Sequence, residues 1–436
     1  VLSSVSLHKE EEKLIIQKVP YDSFGDKEYS GALSSAQEGV WLYEMLHNDN
    51  KFTLIGMVDI YEKIDEQKFK KAINRVVEKH DMLRMQIDIN DEFIPYQNVL
   101  KRRKCIPKIK EILSDNNLKE ELIKLNEKKI TTDSKNLYNI ELWKIKNTHY
   151  KLIVCMHHII SDEASFQIFI KDLNDAYLGR ALEINEFRYC DYAYYDRKRK
   201  PDLQFWGNLL SESYILSIPG SKATIDYNSS IGKTVNININ MYELEKLKEI
   251  FKRNQITLYM GFYTLFVKFL YDLTGERTLY IGSPVSTREK YNMQNVIGLF
   301  AQMSIFKFEI GNFKNFSDLS IMVKNSVVSI LDHASKSFDV IANELKLPAD
   351  LKGLPFHVHY NYIEENTKEY GIMNDNWKPL EYVKNTIQHN FGLYIEKRNE
   401  KILIQFTFKE SYLDHSKVRE FAKRFEKLIR NIIGEI

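Results

Sequence analysis

The chain has 436 residues, 44% hydrophobic and 28% charged, the balance of a globular protein and too many residues for one ordinary core. Its 62 Lys and Arg against 60 Asp and Glu exclude a dedicated nucleic-acid binder with an overall basic field. Three widely spaced cysteines, Cys105, Cys155 and Cys190, exclude a disulfide framework and a cysteine-rich zinc site and fit a reducing cytoplasm.

Residues 1–30 are polar and aperiodic and read as a linker or arm. The opening "VLSSVSLHKEEEKL" lacks the basic-then-apolar pattern of a signal peptide, and its missing Met reads as a piece cut from something longer. No uncharged apolar run reaches the roughly 18 residues of a membrane span. Residues 65–79 set Phe69, Ile73, Val76 and Val77 on one stripe and predict an amphipathic helix. The basic runs Lys101–Lys104 and Arg197–Lys200 read as solvated loops.

"YKLIVCM" (150–156) is apolar on both alternating faces and predicts a buried strand. Ser161 or Asp162 can cap a following helix, in which Phe166, Phe169, Ile170, Leu173 and Tyr177 recur at helical spacing. "RKRKPD" (197–202) and "PGSKATIDYNSS" (219–230) are the candidate connections between two halves. Beyond them come helices over Leu244–Phe251 and 258–273, a strand over 278–286 and a C-terminal helix with Val418, Phe421, Phe425, Leu428 and Ile432 on its face. Both halves mix helices and strands in similar order, which makes the chain α/β (α+β). No short-period repeat points to a solenoid.

The chemistry-bearing stretch is "CMHHIISDEAS" (155–165), between the predicted strand and helix. On an extended backbone His157 and His158 point to opposite faces and do not readily clasp one metal ion. No G-x-S-x-G elbow or G-x-x-x-x-G-K-[ST] loop is present. From this stretch alone, a working histidine and a buried histidine beside a plain helix cap stand at even odds.

The pattern H-H-x-x-x-D resembles that of nonribosomal peptide synthetase condensation domains and of the wider chloramphenicol-acetyltransferase-like acyltransferases. Other segments resemble that family in order. They are "ALSSAQEGVW" (32–41), "VVEKHDMLRMQI" (76–87, Lys79 for Arg and Asp81 for Glu) and "YCDYAYY" (189–195, Tyr195 for Trp). "TGERTLYIGSPVSTR" (274–288), "IGLFAQM" (297–303), "HASKSFDVI" (333–341) and "GLPFHVHYNY" (353–362) follow. Their collinearity over residues 30–400 is what makes the resemblance specific. "IIQKVPYDSFGDKEYS" (15–30) is similar to the linker after a carrier domain.

The resemblance implies two chloramphenicol-acetyltransferase-like subdomains, 31–196 and 197–436, in a V-shaped pseudo-dimer with a central channel. It implies amide formation between a donor thioester and an acceptor aminoacyl thioester, each on the phosphopantetheine arm of a carrier protein. No intrinsic cofactor or metal is implied, nor nucleic acid or membrane. Donor and acceptor carriers and an adjacent adenylation domain are the implied partners. His158 is the implied working imidazole, with His157 structural and Asp162 paired with Arg288. Ser161, Glu163 and Gln302 are expected on the channel or acceptor side. Three departures stand out: Gln302 for Asn, Ser337 for Pro, and Glu163 for the Gly of the pattern. The alternatives are a silent condensation-like platform recruiting a tailoring enzyme, and an epimerisation domain.

Overall fold

The computed structural model describes residues 16–19, 25–47, 52–222, 232–365, 376–378, 381–383, 387–398 and 401–434. The expected linker therefore lies mostly outside the described residues, although a strand already begins at Lys27 within it.

The first half starts with β1 (Lys27–Ala32), α1 (Ser35–His47), β2 (Thr53–Ile60) and α2 (Glu66–Lys79). It continues with β3 (Met85–Ile89), β4 (Pro95–Leu100), β5 (Lys108–Glu111) and α3 (Asp115–Asn126). It ends with β6 (Tyr138–Lys146), β7 (His149–His157), α4 (Glu163–Tyr177) and α5 (Tyr189–Lys198). The second half opens with α6 (Leu203–Leu210), β8 (Gly232–Ile237), α7 (Met241–Arg253), α8 (Leu258–Thr274) and β9 (Thr278–Ser286). Next come β10 (Ala301–Glu309), α9 (Phe316–His333), α10 (Phe338–Glu344), β11 (Val358–Glu365) and β12 (Glu381–Val383). β13 (Phe391–Arg398), β14 (Lys401–Lys409) and α11 (His415–Gly434) complete it.

Two large sheets carry the architecture. One has five strands in the order β12-β2-β7-β6-β5, the other six in the order β10-β9-β11-β13-β14-β8. A small sheet, β1-β4-β3, flanks the first. β7 is internal, paired antiparallel with β2 and β6, and its alternation explains its unbroken apolarity. Leu152, Val154 and Met156 face a core shared with α2 and α4, while Ile153 and Cys155 face a second cluster with Ile55 and Trp143. A strand covered on both faces has no polar side to show in its sequence.

α2 is capped by Asp65, whose carboxylate accepts from the backbone N–H groups of Gln67 and Lys68, and buries Phe69, Ile73, Val76 and Val77. In α4 the predicted stripe of Phe166, Phe169, Ile170, Leu173 and Tyr177 is buried. α8 is apolar nearly all round because it lies inside the second half's core, and Gly275 ends it at φ +76°, a left-handed position suited to glycine. On α11 the buried face takes Ile429 rather than Leu428, which is only partly buried. That is a one-residue rotation of the stripe.

The halves interlock. β12 leaves the second half to pair with β2 as the edge of the first sheet. Met293, Val296, Ile297, Leu299, Phe300 and Trp377 belong to the first half's core. Cys105, Cys155 and Cys190 are all buried and unbridged.

Candidate active site

β7 delivers the histidines. Its last residue is His157, and the chain then bends through a single 3-10 turn, His158–Ile160, before Asp162 caps α4. The strand ends between the two histidines, so the turn as well as strand alternation sets their directions.

His157 is fully buried. The Ile159 N–H donates to its Nδ1 at 3.1 Å, which places the ring proton on Nε2, and Nε2 donates to Glu44 Oε2 at 2.7 Å. Both nitrogens are thereby spent on the fold.

His158 differs in each respect. It is half-buried, and its backbone N–H donates to the Phe52 carbonyl at 2.7 Å. A carbonyl only accepts, so the 2.6 Å contact from Nδ1 to the Ser161 oxygen fixes the proton on Nδ1. In the neutral ring Nε2 is then a lone-pair acceptor. Burial pushes the pKa of His158 below the ordinary imidazole value, outweighing the opposing pull of the Ser161 carbonyl and the Asp162 charge. The ring is held in the form able to take a proton.

Asp162 and Arg288 form a buried ion pair. Arg288 Nη2 donates to Oδ1 at 2.6 Å and Nε to Oδ2 at 3.3 Å. The carboxylate also accepts from the Ser165 N–H at 3.0 Å, the Ser165 hydroxyl at 2.8 Å and the Phe300 N–H at 3.2 Å. Burial alone would raise its pKa, but Arg288 and Ser165 outweigh this and hold the carboxyl below the usual range. Arg288 further donates to the carbonyls of Met293, Val296 and Gly298 and lies 4.3 Å over the Phe300 ring. Gly298 is needed where the backbone packs on Tyr189, since a Cβ there would sit 1.9 Å from that ring.

Of the residues expected on the channel side, Ser161 is fully buried, and its hydroxyl donates to the His157 carbonyl at 3.0 Å. Its side chain braces the turn from within. Glu163 is the first residue of α4 and half-buried, so its carboxylate suits the helix dipole. Gln302 is buried on β10, and its amide nitrogen donates to the Ala334 carbonyl at 3.1 Å. The turn thus brings together His157, His158, Ser161, Asp162 and Arg288, while Gln302 is bonded elsewhere.

Several contributors had no voice in the motif. Glu44 is 113 residues from His157, and nothing local marks it. Ser165 had a signal, because Asp-x-x-Ser spans a capping box, and the box is formed reciprocally here. Gln37, inside the "SAQ" segment, donates from its amide to the Ile159 carbonyl at 3.0 Å. Among the described residues no group of three or more His, Cys, Asp or Glu side chains could hold a metal ion, and no helix is long and apolar enough to cross a membrane.

The family model described as "Condensation domain" matches residues 27–435. The chain belongs to the condensation-domain family. Gramicidin S synthase 2 of Aneurinibacillus migulanus is 23% identical over 436 residues, covering 98% of this chain and 10% of that protein. Bacitracin synthase 3 of Bacillus licheniformis is 23% identical over 429 residues, covering 96% of this chain and 7% of that protein. The chain therefore spans a tenth or less of the length of these curated relatives. Among solved structures, the condensation domain of the monacolin K polyketide synthase MokA superposes with a TM-score of 0.82 at 15% identity, covering 94% of this chain and 98% of that one. The X-domain from teicoplanin biosynthesis, solved as a complex with OxyB, gives 0.77 at 17% identity, with 96% and 97% covered. This condensation domain has the fold of two chloramphenicol-acetyltransferase-like subdomains in a V-shaped pseudo-dimer. Its relatives are nonribosomal peptide synthetases.

Proposed function

We propose that this condensation domain forms an amide between a donor acyl or peptidyl thioester and an acceptor aminoacyl thioester, both carried on phosphopantetheine arms, with residues 31–196 and 197–436 as its two subdomains. The observation that carries the reading is the His158 ring, protonated at Nδ1 by its bond to the Ser161 carbonyl and offering Nε2 as an acceptor. The acceptor amine attacks the thioester carbonyl, a C–N bond forms, and Nε2 takes the proton released from nitrogen. The tetrahedral intermediate then expels the thiolate, which leaves as a thiol with that proton. A free aminoacyl amine titrates near 7.7–8.0, so part of it is already neutral at about pH 7. Orientation and proton transfer by His158 are then sufficient help. Asp162, locked between Arg288 and Ser165, holds the turn and is not a base.

A second reading, a platform that recruits a tailoring enzyme, draws support from the likeness to an X-domain solved with OxyB. The experiment that separates them is mass spectrometry of loaded donor and acceptor carriers mixed with wild type and His158→Ala. The condensation reading expects product from wild type and at least about a 100-fold loss in the variant. Product at the wild-type rate from His158→Ala removes this residue from the mechanism. No product from either protein, with tight binding of a tailoring enzyme, favours the platform.

A further inference from the structure

The geometry assigns Glu44 of α1 as the residue that positions the histidine turn, an assignment that rests on the condensation reading and extends it. α1 grips the turn on both sides of His158. Gln37 donates to the carbonyl of Ile159 at 3.0 Å, and Glu44 accepts from Nε2 of His157 at 2.7 Å. Seven residues is two helical turns, so both side chains leave the same face of α1. His158 lies between the two gripped residues.

Glu44 is itself anchored. Its Oε1 accepts from the Thr132 N–H at 2.8 Å and from the Thr132 hydroxyl at 3.3 Å, and its side chain is only 8% exposed. A carboxylate so buried is tolerated because donors meet both oxygens. His157 has no alternative tautomer to offer, because moving its proton to Nδ1 would set that proton against the Ile159 N–H. The chain Thr132–Glu44–His157–Ile159 is therefore satisfied in one arrangement only. Among the described residues His158 has no such anchor on Nε2. Its position follows from the backbone at 157–161, through its N–H to Phe52 and its Nδ1 to Ser161. Glu44 acts on His158 only through His157, which makes it a positioning residue.

Glu44→Gln is the informative change, since it keeps the volume and leaves one oxygen where two are needed. The amide then opposes an NH2 either to the Thr132 N–H or to the His157 Nε2–H. In condensation assays with loaded carriers we expect kcat to fall about 10–100-fold, as for a small misplacement of a reacting group, with KM for the donor carrier little changed. Thr132→Val keeps the carboxylate and the Thr132 N–H contact, and should cost less than about fivefold. It guards against a misfolded first variant. The imidazole nitrogen resonances supply a readout that needs no turnover. Wild type should show His157 protonated at Nε2 and His158 at Nδ1, and Glu44→Gln should disturb the first and move the titration midpoint of the second. Wild-type kcat together with an unchanged imidazole spectrum in Glu44→Gln overturns the assignment. If wild type forms no product, the condensation reading fails while the imidazole spectra alone still decide for or against Glu44.

Discussion

Two buried contacts join a carboxylate of the first half to a cation of the second, and they are built differently. At Asp162 the cation is Arg288, whose planar fork meets both carboxylate oxygens while its remaining N–H groups reach Ser165 and three carbonyls. At Asp196 the cation is Lys336, whose Nζ lies 3.2 Å from Oδ1 and also donates to the Asp196 carbonyl. The other carboxylate oxygen, Oδ2, is taken by the N–H and hydroxyl of Ser35 at 2.7 and 2.6 Å. Both cations are almost wholly buried, yet the balance of forces differs. Burial is outweighed by Arg288 and Ser165 at Asp162, whose pKa falls, whereas burial outweighs Asp196 at Lys336 and lowers the lysine's own pKa. A guanidinium has enough fixed donors to be satisfied in the interior, while an ammonium is a compact, strongly hydrated charge that misses its water. The first contact holds the histidine turn. The second ties the start of α1 to the segment before α10, and α1 is the helix that reaches His157.

The comparison is tested most severely at Asp162. Asp162→Ala leaves Arg288 buried without its carboxylate and should cost about 3–5 kcal/mol in chemical denaturation. Arg288→Ala should cost a similar amount, and the double variant much less than the sum, because the residues share one network. Additive losses would mean that the network does not act as a unit.

The lysine contact should yield a smaller loss, with its response to pH on the alkaline rather than the acid side. Lys336→Met keeps length and apolar volume, and Asp196 retains its two donors from Ser35, so a cost of about 1 kcal/mol is expected. The contribution of Asp162 is fully present above the unfolded carboxyl pKa, about 3.9, and is lost as pH falls through its lowered folded value. For Lys336 the folded pKa lies below the unfolded one, about 10.4. As pH climbs between the two values the unfolded chain holds the extra proton, and stability rises. Urea midpoints of wild type and Lys336→Met, followed on the alkaline side, should move apart as pH increases, because only wild type carries the titrating group. A constant gap between them would mean that burial does not dominate at Lys336.

Much of the fold is legible in the sequence because short-range periodicity reports it. The stripes of α2 and α4 and the two-sided apolarity of β7 follow directly from which faces are covered. The interlocking is not legible. β12 is three residues long and owes its place to pairing with β2, and no local pattern can announce a partner about 325 residues away. At the site, the histidines, Asp162 and Arg288 lie in segments that resemble the family, whereas Glu44 and Thr132 are ordinary polar residues whose meaning is purely spatial. A serine beside a histidine looks available in sequence, yet the Ser161 hydroxyl is turned inward and donates to the His157 carbonyl. The Lys336–Asp196 contact is equally invisible, because Lys336 sits in a recognisable segment and Asp196 one residue past another, both at positions that carry no pattern.

A modest effect on stability, and the finest test of how the arginine-held turn meets its substrate, belongs to Glu163. It follows Asp162 directly, starts α4 and is half-buried, where the family pattern has Gly. As a carboxylate in the first turn it gains from the helix dipole by about 0.3–1 kcal/mol. Replacement by Gly adds a helix-propensity cost of up to about 1 kcal/mol, so Glu163→Gly should lower stability only modestly, well short of Asp162→Ala. Its functional effect should run the other way. Removing charge and bulk one residue from the Asp162 cap should widen acceptor use and raise the rate with ordinary aminoacyl carriers, while bulky and acidic acceptors gain most. A panel of carriers loaded with small, bulky, acidic and basic residues, run on both proteins, measures this. If the profile is unchanged while stability falls by the modest amount expected, Glu163 serves the helix and not the acceptor path. The selectivity of the turn must then come from residues farther from Asp162.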